Sequence, residues 1–317
     1  LPAEEIVAWE FLYESMPDSG ENDSTADIVR RYNQLVSEAN MVREKDKGLV
    51  RHIFGNFYGK KLEVGIGFQR AFGSSLSGDF FDLIPLPDGN YLFIFVDISG
   101  HGLPAYTTLI RLRSAMALAI NDTNHIYGKV GYVDAAFLVK NFTRKFTDIM
   151  ENDDSHDFAC INFVFIYNER DKFYLKFFNR SMLFPIVMRK FNRKLMDVFN
   201  LNVEDKGWYP QKGYLVGSDI RRLLFDRYYD TPCCEFIVYE GDRLLFFSDG
   251  IVEAYPKENP MHEFGQKRIE KFLIDNLNRG PQETIDQLFG MVYEYIGAHE
   301  NQKDDMTAVL IDFPLVR

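Results

Sequence analysis

The sequence predicts an α+β domain of two antiparallel sheets with helices packed outside them, on three observations. Apolar strand-like runs come first, then a helical hairpin, more strands, a second helical pair and a closing strand. Strands and helices are therefore segregated rather than alternating, which argues against a parallel βαβ sheet. A hydrophobic content of 46%, with 29 phenylalanines in 317 residues, supplies ample apolar surface for a large core.

Residues 1–16 read as a short amphipathic helix around Ile6, Trp9 and Leu12. PDSGENDS, residues 17–24, is a polar breaker whose end can cap the next helix. Ile28, Tyr32, Leu35, Ala39, Val42, Asp46, Leu49 and Ile53 then follow at alternating spacings of 4 and 3. That is a heptad seam with a fault at Asp46, and Gly48 follows two residues later. Such a helix packs on its own domain or pairs two chains into a homodimer, and the pattern leaves both open. We divide the chain into a helical segment, 1–60, of regulatory or dimerising kind, and a main domain, 61–317.

Strands are expected at KLEVGIGFQRAF and GDFFDLIPLPDGNYLFIFVD, the second folded about a Pro-Asp-Gly-Asn turn. Helices are expected at 103–122, presenting Leu103, Thr107, Ile110, Ser114 and Ala117 on one face, and at 132–151, presenting Ala135, Leu138, Phe142, Phe146 and Ile149. DFACINFVFIYN, KFYLKFFN, LFPIVMRK and KLMDVFN read as further strands, with a hairpin turn at 168–171. Residues 200–235 show no regular pattern. A strand in EGDRLLFFSDGIVEAYP, helices near 262–277 and 281–298, and a strand in DDMTAVLIDF complete the domain.

With 36 basic and 47 acidic residues the net charge is −11, a poor match to nucleic acid, which needs clustered Lys and Arg. Cys160, Cys233 and Cys234 lack CxxC spacing and point to a reducing compartment without structural zinc. No run has the roughly 18 apolar residues of a membrane span. The expected location is the cytoplasm. The chain opens on Leu1 rather than Met, so a longer protein is expected, with membrane attachment open to its upstream segments.

Four acidic positions share one grammar. Asp79 opens a strand after Gly78, with Asp82 three residues on; Asp97 closes a strand before Ser-Gly-His-Gly; Asp249 closes another; Asp304 and Asp305 open the last. Singly, each is an ordinary turn residue, since Asp beside Gly is common in turns. Together, at one rim of neighbouring strands, they are the hard oxygen donors that Mg²⁺ or Mn²⁺ prefers. His101 is read as lining its loop rather than transferring protons.

SGDFFDLIPLPDG, VDISGHGLPA, GDRLLFFSDGIVEA, EFGQKRIEKFL and KDDMTAVLI, in that order, resemble the PPM-type serine/threonine phosphatases, and among them the bacterial SpoIIE/RsbU branch, which is similar to protein phosphatase 2C. The likeness spans roughly residues 62–315. It implies a β-sandwich flanked by helix pairs and a centre of two Mg²⁺ or Mn²⁺ ions. It also implies hydrolysis of phosphoserine or phosphothreonine on a protein by a metal-activated water, the usual substrate being a STAS-type anti-sigma-factor antagonist. Upstream sensory domains are implied as well. Carried over by position, the ligands and catalytic carboxylates fall on Asp79, Asp97, Asp249 and Asp304, with the backbone carbonyl of Ile98 added and Asp82 and Asp305 as second-rank candidates. Two departures stand out: Ser77-Gly78 where the family has Gly-Gly, and NRSMLFP at 179–185, with Arg180 and Ser181 in place of Gly and His. A catalytically idle, phosphatase-like interaction module is the alternative reading, and an unrelated metal-dependent phosphodiesterase or a two-carboxylate glycosidase is a third.

Overall fold

The computed structural model describes residues 62–127, 133–151, 157–169, 172–189, 194–197, 214–217, 229, 231–239 and 241–313, with scattered residues between 30 and 54. The expected helix at 1–16, the breaker at 17–24, the seam's fault at Asp46 and most of 200–235 lie outside the described residues.

Two five-stranded antiparallel sheets form the described domain. One runs in the order β1 (Glu63–Gln69), β10 (Met306–Asp312), β9 (Asp242–Phe247), β6 (Ile186–Arg189), β7 (Lys194–Asp197). The other runs β2 (Phe80–Pro85), β3 (Tyr91–Ile98), β4 (Ala159–Glu169), β5 (Lys172–Arg180), β8 (Cys233–Val238). Glu169 pairs with Lys172, so β4 and β5 form a hairpin as expected, with Asn168 and Glu169 in the strand rather than in the turn. The expectation of a sandwich flanked by helices holds. Helices α1 (Gly102–Tyr127) and α2 (Ala135–Met150) cover the second sheet, whereas α4 (Gln266–Asp275) and α5 (Pro281–Ile296) cover the first, with the single turn α3 (Asp249–Val252) at the rim.

Side-chain alternation explains why the central strands read as unbroken apolar runs. On β3, Phe93 and Phe95 point between the sheets, where Phe93 lies 4.7 Å from Phe246 by ring centroid; Leu92, Ile94, Val96 and Ile98 point the other way, under α1 and α2. Both faces are therefore dry. Burial of each such side chain contributes about 1.5–3 kcal/mol.

One helix face departs from expectation. Helix α1 buries Ala105, Leu109, Leu112, Ala115, Met116 and Ala119, while Ile110 is 47% exposed. The small alanines let the helix sit close to the sheet and α2, and that close approach outweighs the single large Ile110. On α2 the expected stripe does lie inward, with Leu138, Phe142 and Phe146 fully buried.

The described residues between 30 and 54 are helical, Gly48 included. Val50 and Phe54 are fully buried in the inter-sheet core beside Leu62, and Ala39 packs with Leu76 and Leu103. The division drawn between 60 and 61 thus has core residues on both sides of it.

Candidate metal centre

Strand register brings the first two carboxylates together. Phe80 pairs with Val96, so one further step sets Asp79 opposite Asp97 across β2 and β3. Asp97 alternates with Phe93 and Phe95 and therefore faces the gap between the sheets. In the other sheet, Ala308 pairs with Phe247, which brings the chain after β9, with Asp249, beside the chain before β10, with Asp304 and Asp305. The backbone N–H of Ser248 donates to the Thr307 carbonyl, and the Thr307 N–H donates to Ser248 Oγ, both at 2.9 Å, locking that crossing.

Glycines set how closely these segments meet. A Cβ on Gly250 would lie 2.1 Å from the Asp305 carbonyl oxygen, and one on Gly78 would lie 3.0 Å from the Ile98 carbonyl and 2.9 Å from Ala105 Cβ. Any other residue at 250 would push Asp249 away from the Asp304–Asp305 turn. The Gly78 contact keeps the backbone of the Asp79 loop against the Ile98 carbonyl, which the family resemblance implies as a ligand.

Aspartates of the two sheets act on one another's charge. Burial holds the Asp97 carboxyl well above the usual range, and the charges of Asp79, Asp249 and Asp304 raise it further. Asp79, 2% exposed, is likewise raised well above that range, by burial first and then by Asp305, while the Thr307 and Ser248 hydroxyls pull it down. Asp304 reaches solvent, yet surrounding protein raises it to about 6, with Asp249 and Asp305 adding to the effect and nearby His101 opposing it. Among the described residues, Asp97, Asp249 and Asp304 form no ion pair with Lys or Arg. Buried like charges without a counter-cation take up protons or metal ions.

The two second-rank aspartates are engaged differently, Asp82 on the far face of its strand and Asp305 beside Asp79 but hydrogen-bonded to backbone. Asp82 alternates with Phe80 and Ile84, which pack under the α1–α2 layer, so it lies on the opposite face of β2 from Asp79; its Oδ1 accepts from the Leu83 N–H at 2.8 Å. Asp305 is 3% exposed and accepts from the N–H groups of Ala71 and Gly78, each at 2.9 Å, so it fastens the loop that leads to Asp79. Arg180 is fully buried, alternates with Phe178 towards the helix layer, and donates to Thr231 Oγ1 at 3.2 Å; it faces away from the aspartates. Its neighbour Ser181 holds φ 57°, a conformation that favours glycine, so Ser181 rather than Arg180 occupies the position needing that freedom. Glu253, which sequence reading passed over, follows α3 and has a pKa raised by burial and by Asp249.

The donor set fits hard divalent cations, being carboxylates from four separate segments with a backbone carbonyl beside them. Among the described residues no group of three or more His, Cys, Asp or Glu stands ready to hold an ion as placed.

Residues 211–314 match the family described as Stage II sporulation protein E (SpoIIE). No curated protein matches the chain in sequence. Its fold is similar to the SiaA-PP2C domain of Pseudomonas aeruginosa, with a TM-score of 0.64 at 18% identity over 92% of this chain and 100% of that one. It is also similar to the PP2C phosphatase domain with a regulatory-domain fragment of SpoIIE from Bacillus subtilis, with a TM-score of 0.55 at 18% identity over 80% of this chain and 62% of that one. A third similar structure holds the RsbU and RsbW domains of a Mycobacterium tuberculosis protein, with a TM-score of 0.53 at 15% identity over 80% and 61%. Residues 211–314 thus match the SpoIIE family, and the fold that carries them is similar to that of the PP2C-type phosphatase domains.

Proposed function

We propose that the chain is a Mn²⁺- or Mg²⁺-dependent phosphatase that removes phosphate from serine or threonine of a regulatory partner protein. The observation that carries this reading is the convergence of Asp79, Asp97, Asp249 and Asp304 from two sheets onto one rim. Asp79 and Asp97 from one sheet, and Asp249 and Asp304 from the other, would hold two ions between them, with the Ile98 carbonyl as an added oxygen ligand. When bound, two such ions supply Lewis acidity at the phosphoryl oxygens and a water acidic enough to attack phosphorus near neutral pH. The aspartates fix where the ions sit. Gly78 and Gly250 keep the carrying loops in register, and the dry core beneath them limits water to the open side. No side-chain nucleophile is required.

A STAS-type anti-sigma-factor antagonist is the substrate class we favour, on the family resemblance and on a net charge of −11, which suits a dedicated protein partner better than a polyanion. The helix of the 1–60 segment is the proposed regulatory element. Its Ala39 packs against Leu76, three residues before Asp79, and Leu103, six after Asp97. A change in that helix would therefore reach both carboxylate-bearing loops.

Hydrolysis of p-nitrophenyl phosphate and of phosphoserine and phosphothreonine peptides, with Mn²⁺ and after EDTA, tests the activity. Turnover that needs Mn²⁺ is expected. Mn²⁺ binding without turnover on any of these would favour the idle interaction module instead, and turnover unaffected by EDTA would contradict the two-ion reading.

A further inference from the structure

We propose that Gln302 is a positioning residue of the metal centre, one that fixes Asp304 relative to the loop leading to Asp79. The proposal rests on the two-ion reading above. Gln302 is only 4% exposed, and its amide is the meeting point of separate segments. Its Nε2 stands 2.7 Å from the Arg70 carbonyl, 3.2 Å from that of Gln69 and 3.0 Å from that of Asp304. Its Oε1 accepts from the Tyr293 hydroxyl on α5 at 2.9 Å, and its own carbonyl accepts from the Phe72 N–H at 3.1 Å. One side chain thus ties the end of β1 to the backbone of a carboxylate that the two-ion reading makes a ligand.

Asp305 holds the same loop farther along, at Ala71 and Gly78. Gln302 and Asp305 therefore clamp residues 69–78 from both sides of Asp304. Asp304 sits on a turn, where the carbonyl that Gln302 holds governs how the residue is aimed. Only an amide serves here: it offers donors to the carbonyls and an acceptor to the tyrosine. A carboxylate would set oxygen against three carbonyl oxygens, and an apolar side chain would leave those carbonyls without this donor.

Calorimetric titration of Mn²⁺ into the EDTA-stripped chain tests this. Gln302→Glu and Gln302→Met are each expected to weaken Mn²⁺ binding by about tenfold or more, the usual scale for groups that orient metal ligands. Turnover at saturating Mn²⁺ should fall much less than affinity. Tyr293→Phe, which removes only the hydroxyl on Oε1, should stay within about threefold of the parent. If one Gln302 variant does not fold, the other carries the same comparison. Mn²⁺ affinities of the Gln302 variants within threefold of the parent, or an equal loss in Tyr293→Phe, would overturn the assignment. A parent that binds no Mn²⁺ would overturn the two-ion reading and this inference with it, whereas a binding parent with unaffected Gln302 variants overturns only the inference.

Discussion

Strands β9 and β10 carry aspartates near both of their ends, and the two ends are treated oppositely. At one end Asp312, on β10, meets Arg243, on β9, with Nε to Oδ1 at 2.5 Å and Nη2 to Oδ2 at 2.7 Å, and both side chains are buried. Arg243 also donates to the carbonyls of Asn276 and Arg279 and so anchors the turn between α4 and α5. At the other end Asp249 and Asp304 lie beside Asp97 and Asp79, and Asp97, Asp249 and Asp304 have no Lys or Arg partner among the described residues. The same strand pair thus gives Asp312 a protein cation at the structural end and gives Asp249 and Asp304 none at the rim among the described residues. Carboxylates kept together without a protein cation take up protons or another cation.

The sharpest way to break this comparison is to alter one carboxylate at each end. Asp97→Asn or Asp249→Asn keeps shape but removes a unit charge, and Mn²⁺-dependent turnover is expected to fall by at least about a thousandfold, which corresponds to roughly 4 kcal/mol. The metal-free fold of Asp97→Asn should be no less stable than the parent, because a repulsive charge has gone. At the opposite end, Arg243→Ala strands Asp312 in the interior and should cost about 3–5 kcal/mol of folding stability in denaturant melts. Equal stability losses at the two ends would show that the rim carboxylates are structural as well.

Acidity separates the ends more gently. Asp304 titrates at about 6 in the fold, above its unfolded value, so the folded state binds that proton more tightly than the unfolded chain. Metal-free stability from this group is therefore lost as pH rises from about 4 to about 6, and Asp79 and Asp97, also raised, act in the same sense. Mn²⁺ competes with those protons. The rise in melting temperature on adding Mn²⁺ should be larger at pH 8 than at pH 5; a rise independent of pH would place the ion elsewhere. The smallest effect is expected at His101, exposed on the loop after Asp97. His101→Lys should keep most of the turnover, and a loss beyond about a hundredfold would make it a proton-transfer group.

Much of this was legible in the sequence, for identifiable reasons. Apolar runs, Pro-Asp-Gly-Asn and the strand-end aspartates report local chemistry, and local chemistry fixed the strands and set four carboxylates at their ends. The position of Asp82 was legible too: three residues from Asp79, it must face the other side of a strand with period two. Other features depend on partners far along the chain. Asp305 is committed to N–H groups 227 and 234 residues away, which nothing in Asp-Asp reveals. Gln302 likewise reads as one more polar residue before a strand. The buried face of α1 could not be chosen because its alanines and Ile110 offer two apolar stripes, and only the neighbouring α2 and sheet select between them.

The central claim is that the rim aspartates exist to hold two cations for phosphoester hydrolysis. Calorimetric titration of Mn²⁺ into EDTA-stripped parent and Asp97→Asn protein, with p-nitrophenyl phosphate hydrolysis followed on the same samples, addresses it most directly. The account predicts two bound ions in the parent, loss of at least one in Asp97→Asn, and turnover that rises as the sites fill. Turnover by the parent with no Mn²⁺ bound, or undiminished binding by Asp97→Asn, would contradict it.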